Sequence, residues 1–132
     1  MTAALGPSPV QALDESQCRR LLAGKRLGRL VFTSAALPAV IPVVYTLHAD
    51  RIVVRISPGW HLRTSLGGAV VAFEVDELDP ATSAGWSVVA VGVVEELAPD
   101  DPGRPADAGD DQIVGILPTA VSGHRVAIDE PG

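Results

Sequence analysis

Aromatic side chains are scarce in this chain, with two Trp, two Phe and one Tyr among 132 residues. A core must therefore be built from Val, Leu, Ile and Ala. One cysteine, Cys18, excludes an intrachain disulfide and a cysteine zinc site. No apolar run approaches the roughly 18 residues that a membrane-crossing helix needs. Residues 37–47 come nearest, and Pro38 and Pro42 interrupt them. The opening MTAALGPSPVQAL has neither the basic start nor the long apolar middle of a secretory signal. The expectation is a reduced, cytoplasmic protein with no membrane partner. Familiar catalytic patterns are missing too: G-x-S-x-G, a Walker loop, H-E-x-x-H and C-x-x-C do not occur. His48, His61 and His124 lie far apart, without metal-ligand spacing. No metal is expected, and the catalytic residues stay unknown.

What is present bounds the class. Apolar residues make up 47% and charged residues 20%, a composition that folds. The length suits one domain with one core. A net charge of −6 argues against nucleic acid as a partner. The distribution says more than the sum. Residues 16–73 carry eight Lys/Arg against Asp50, a local +7, while residues 74–132 carry two Arg against thirteen acids, a local −11. A cationic half points to an anionic small ligand. The plainer alternative is that the two halves offset each other.

Residues 1–12 hold two prolines and no charge, and read as a mobile tail before a single domain over 13–132. Asp14 and Gln17 have the spacing of a capping box, with Leu13 and Cys18 as its hydrophobic staple. That helix ends at Gly24. Strands follow over 28–34 and 39–47, with a turn at 35–38. Proline donates no ladder hydrogen bond, so Pro42 predicts an open edge or a kink. Such an edge beside Val43, Val44 and Tyr45 can receive a flat ring. A tight hairpin at 48–51 leads to a strand over 52–57. Pro58 and Gly59 end it, and 60–66 can form a short helix. Arg55, Ser57, the turn's N–H groups and His61 together make an anion site, and a ligand's phosphate is placed there.

Further strands are expected at 69–76, 85–95, 113–117 and 121–128, with a loop at 77–84. Glu74 and Asp76 alternate onto one face, either as an acid–base pair or as partners for arginines. Gly92 predicts a bulge or a close backbone approach. Residues 96–111 hold three prolines and two glycines, and form an acidic surface loop or a poorly ordered segment. The sum is a mainly β fold, a six- to seven-stranded antiparallel barrel with an N-terminal helix and one short helix.

Several blocks, taken in order, carry a resemblance. They are Leu13-x4-Cys18-x2-Leu21-Leu22, Gly28 to Phe32, Pro42 to Tyr45, Val54 to Gly59, Val71 to Asp76 and Gly85 to Val88. Over residues 13–95, and more loosely Ser122 to Val126, the chain resembles the pyridoxamine 5′-phosphate oxidase-like proteins of actinobacterial type. The resemblance implies a split β-barrel that binds FMN as a homodimer, with the cofactor at the subunit interface. Some relatives use a deazaflavin instead. By the same resemblance Arg55 and Ser57 contact the flavin phosphate, and His61 stands where many members have Lys. Pro42, Val43, Val44 and Tyr45 lie along the ring, mostly through backbone. Trp86 and Arg125 reach it from the partner subunit. Ile56 stands where Thr or Ser is common, and the acidic loop replaces a longer helical connection. The implied function is an FMN-dependent oxidoreductase of unknown substrate, the flavin supplying the hydride chemistry. The alternatives are a flavin- or deazaflavin-binding module without turnover, and a dimeric barrel that has lost its cofactor.

Overall fold

Two tight turns set the frame of the chain. Ala35 and Ala36 both take positive φ, as do Ala49 and Asp50. Two successive left-handed residues give a hairpin turn whose twist matches that of its strands. The first turn joins β2 (Leu27–Ser34) to β3 (Leu37–His48), and the second joins β3 to β4 (Arg51–Ile56). The computed structural model describes residues 10–60, 62 and 65–127. Beyond β4 come β5 (Val70–Asp79), β6 (Ala84–Glu96) and β7 (Gln112–Ala127). An N-terminal strand, β1 (Val10–Leu13), and a helix, α1 (Glu15–Ala23), precede them all.

All pairings are antiparallel, and β2, β3, β4, β7, β6 and β5 close in that order into a barrel. Strand β7 closes it. One edge of β7 pairs with β6, while the other pairs first with β4 and then with β1. Period-two alternation sends Leu30, Phe32, Ile41, Val43, Tyr45, Val71, Phe73, Val75, Val88 and Ala90 into one core. With so few aromatics, the one Tyr is spent inside. Tyr45 is 1% exposed, meets Phe73 edge-on at 4.7 Å, and donates its hydroxyl to the carbonyl of Leu22 on α1. That bond seats α1 on the barrel, with Cys18 and Leu22 buried beneath it.

Local signals in the sequence hold well. Asp14 accepts from the backbone of Gln17 at 2.8 Å and Gln17 accepts from the backbone of Asp14 at 3.0 Å, the expected capping box. Gly24 caps the other end. The register of β6 on β7 shifts between Val91 and Gly92, and a β-carbon on Gly92 would stand 2.2 Å from the Leu117 carbonyl oxygen. Both readings of Gly92 are therefore correct.

Longer-range expectations change. Residues 10–12, expected in the tail, belong to β1, because β7 offers them a free edge. The loop at 77–84 shrinks to 80–83, since β5 and β6 stay paired out to Asp79 and Ala84. The two closing strands are one. Pro118 is no break, because the bulge opposite Gly92 leaves Thr119 outside the ladder, its hydroxyl donating to the Val91 carbonyl at 3.2 Å. A single 3-10 turn spans Pro58–Trp60, and the helix expected over 60–66 falls in part on residues that are not described. Residues 61, 63 and 64 lie outside the described residues.

Candidate functional site

The ladder between β3 and β4 stops at Val44 opposite Arg55. Among the described residues, 37–43 pair only with β2. Pro42 lies on this stretch, so the open edge predicted there is present. A groove of about 420 Å³ follows it, within the range of small-molecule sites. Leu27, Pro42 and Val44 form an apolar wall, and Trp60 faces the same space. Leu27, Val44 and Trp60 are all more than 40% exposed, an unusual concentration for large apolar side chains. Arg55, directly across the ladder from Val44, lines the same groove with Ser57 and Asp111.

Arg55 is on the outward face of β4 with Arg51 and Val53. Residues 97–111 lie across that face as a strap. Leu97 and Ala108 pack with Ile113 on Val53. The guanidinium of Arg51 donates to Asp101 at 2.8 Å and to Glu95 at 2.7 Å. Arg55 Nε and Nη2 both donate to Oδ2 of Asp111, at 3.1 and 2.8 Å. Its Nη1 donates to the Asp107 carboxylate and its Nη2 to the Asp107 carbonyl, each at 3.1 Å. The bond to Asp111 raises the Arg55 pKa further above its ordinary value. Arg51 in turn holds the Asp101 carboxyl below the usual range. The acidic stretch is thus a docked surface loop.

The same pairing runs across the molecule. Lys25 meets Glu77 at 2.7 Å, and Arg29 meets Glu74 and Asp76, both at 2.7 Å. Four cations of the first half are therefore matched by acids of the second, the plainer of the two charge readings. Glu74 and Asp76 serve as partners of an arginine. Burial raises the Glu74 carboxyl above its ordinary value.

The expected site residues separate into groups. Pro42, Val44, Arg55 and Ser57 come together in the groove, and Val43 borders it with a buried side chain. The Ser57 hydroxyl accepts from the backbone N–H of Gly59 at 3.2 Å. Tyr45 does not join them, because alternation turns its ring into the core and its backbone N–H donates to the Arg26 carbonyl at 3.0 Å. Trp86 and Arg125 face each other across β6 and β7 and do not line the groove of their own chain. His61 lies outside the described residues. Sequence reasoning missed Asp111. The only signal for it was the opposition of a cationic half and an acidic one.

These elements match known proteins in the same order. The family model described as pyridoxamine 5′-phosphate oxidase covers residues 14–126. The chain belongs to this family. An uncharacterised Mycobacterium tuberculosis protein is 37% identical over 135 residues, covering 91% of this chain and 88% of its own. Among solved structures, an FAD-binding protein of Mycobacterium smegmatis superposes with a TM-score of 0.70 at 28% identity, over 88% of this chain and 97% of its own. An FAD-binding protein of Mesorhizobium loti gives 0.71 at 25% identity, over 90% and 98%. Family members of this fold thus include flavin-binding proteins. Among the described residues, no helix is long and apolar enough to cross a membrane.

Proposed function

We propose that this family member binds a flavin, FMN, along the open edge of β3 and uses it as an oxidoreductase. The observation that carries the reading is the groove itself. An exposed apolar wall at an unpaired strand edge stands beside a cation and a hydroxyl, Arg55 and Ser57. A flat ring with a phosphate at one end fits that division. Solved relatives named for FAD binding support the same class of ligand. Bound flavin supplies hydride transfer, while the chain's residues hold the ring and shield it from water.

The site is completed by a second copy of the chain. Val70, Val93 and Leu117 form one row across β5, β6 and β7, and each is at least 45% exposed. Such a row calls for a cover. Trp86 and Arg125, which the groove's own chain does not bring to it, are then available from the partner.

A second reading, a flavin or deazaflavin carrier without turnover, is favoured by the groove's lining. Its described residues include no His and no Cys. Visible absorption of the purified protein after loading with FMN or FAD and desalting tests the first step. About one flavin retained per chain supports the site, and none retained at micromolar protein rejects it. Anaerobic reduction by NAD(P)H followed by reoxidation with an added acceptor separates enzyme from carrier.

A further inference from the structure

Arg55 is the cation to which the proposed reading assigns the flavin phosphate, yet it is already engaged. A guanidinium has five N–H donors. Four of them are taken, two by Asp111 Oδ2 and two by the side chain and carbonyl of Asp107. Ser57 Oγ is already bonded to Gly59 N–H. Among the described residues one guanidinium faces two carboxylates, a local −1 around Arg55. A phosphate monoester arrives with close to two negative charges. It meets the two carboxylates, one spare N–H of Arg55 and the O–H of Ser57, which so far only accepts.

The two acids differ. Asp107 is 83% exposed, does not line the groove, and holds Arg55 through a contact open to solvent screening. Asp111 lines the groove, and its side chain and that of Arg55 are each 26% exposed. It is also fixed from behind. Its backbone N–H donates to the Ala108 carbonyl at 3.0 Å, and the next residue, Gln112, begins β7. The carboxylate can therefore leave Arg55 by side-chain rotation while the strap stays anchored through Arg51 and Asp101.

We infer that Asp111 sets the specificity of the groove: it occupies Arg55 in the free protein, and a ligand gains its phosphate contact only by displacing that carboxylate. The inference rests on the flavin reading, and names the residue that discriminates among flavins within it. A ring without a terminal phosphate enters at no such cost. FMN and riboflavin therefore bind the native protein with similar affinity.

The test is a fluorescence titration of native protein, D111N and R55A/D111N with FMN and with riboflavin. Thermal melts confirm that each variant is folded. D111N is expected to bind FMN about tenfold tighter, the factor that one charged hydrogen bond is worth, with riboflavin unchanged. The gain disappears in R55A/D111N. A native protein that already prefers FMN to riboflavin by more than about tenfold, or a D111N variant with no gain for FMN, overturns the inference. Should neither flavin bind any of the proteins, the flavin reading fails by itself. Inorganic pyrophosphate then probes the same contact by calorimetry. Tighter binding to D111N upholds the role of Asp111, and equal binding or none in both proteins overturns it.

Discussion

The Sγ of Cys18 fills the space a side chain on Gly123 would need: a β-carbon there would stand 2.6 Å from the sulfur. Helix α1 approaches β7 this closely only because residue 123 is glycine. Burial also raises the Cys18 thiol pKa, which leaves it a packing group rather than a nucleophile. Gly123→Ala is expected to cost about 1–3 kcal/mol, as overpacking does. Cys18→Ala makes room, so the penalty in that background is smaller. A double-mutant cycle by urea unfolding should give a coupling of at least about 0.5 kcal/mol, the scale for residues in contact. Strict additivity would mean that the sulfur is not the obstacle.

Tyr45 tests the division between core and groove. Tyr45→Phe keeps the ring against Phe73 and removes one donor to the Leu22 carbonyl, which keeps the Lys25 N–H at 3.4 Å. The loss of one such hydrogen bond costs about 0.5–1.5 kcal/mol. The melting temperature should fall, while flavin retention stays at the native level. Lost flavin in a folded variant would return Tyr45 to the site.

Arg55→Ala removes the one cation among the described residues lining the groove and leaves Asp107 and Asp111 without their arginine. FMN binding should weaken by about tenfold or more, and riboflavin binding far less. Amide exchange over residues 104–111 should speed up in the same variant while the barrel strands stay protected. Uniform protection across the strap would show that its other contacts hold it alone.

Two carboxylates should respond to acid in opposite senses. The Asp101 pKa lies below its ordinary value because Arg51 binds the charged form. Its contribution is therefore present above about pH 4, the unfolded value, and is lost as pH falls further. Exchange over residues 97–104 should rise on acidification below that point, and Arg51→Ala should produce the same loosening at neutral pH. A strap equally protected at pH 3 and pH 7 would contradict this.

Glu74 has a raised pKa, chiefly through burial. Its contribution is full below about pH 4 and declines as pH rises through its folded value. The stability of native protein relative to Glu74→Gln should accordingly decrease from pH 4 upward, as read by denaturant unfolding at several pH values. An increase would mean that the bond from Arg29 outweighs desolvation.

Some of this was legible before any fold was known, and the reasons are local. Asp14 and Gln17 are three residues apart, so their capping box needs nothing but helix geometry. Pro42 announced an open edge because a missing N–H is a property of the residue. Gly92 announced a bulge for a similar reason. Other features depend on partners far along the chain. Arg55 and Asp111 are 56 positions apart, and composition showed only that opposite charges were there to be paired. Pro42, Val43, Val44 and Tyr45 were expected along a ring mostly through backbone, and strand alternation sets where their side chains go: Val44 outward, Val43 and Tyr45 into the core. Trp86 and Arg125, expected at the ring from a second copy, face each other across β6 and β7 away from the groove of their own chain.

The three partners of β7 have a consequence for how the protein is made. Synthesis runs from the N-terminus, so β1, β4 and β6 all leave the ribosome before the strand that joins them. Until residues 112–127 emerge, β4 and β6 each keep a bare edge and the apolar interior stays wet. Closure then comes in one late step that brings distant parts of the chain together, the slow kind of folding. The nascent chain is most exposed to chaperones, and to its neighbours on the same messenger, just before β7 emerges.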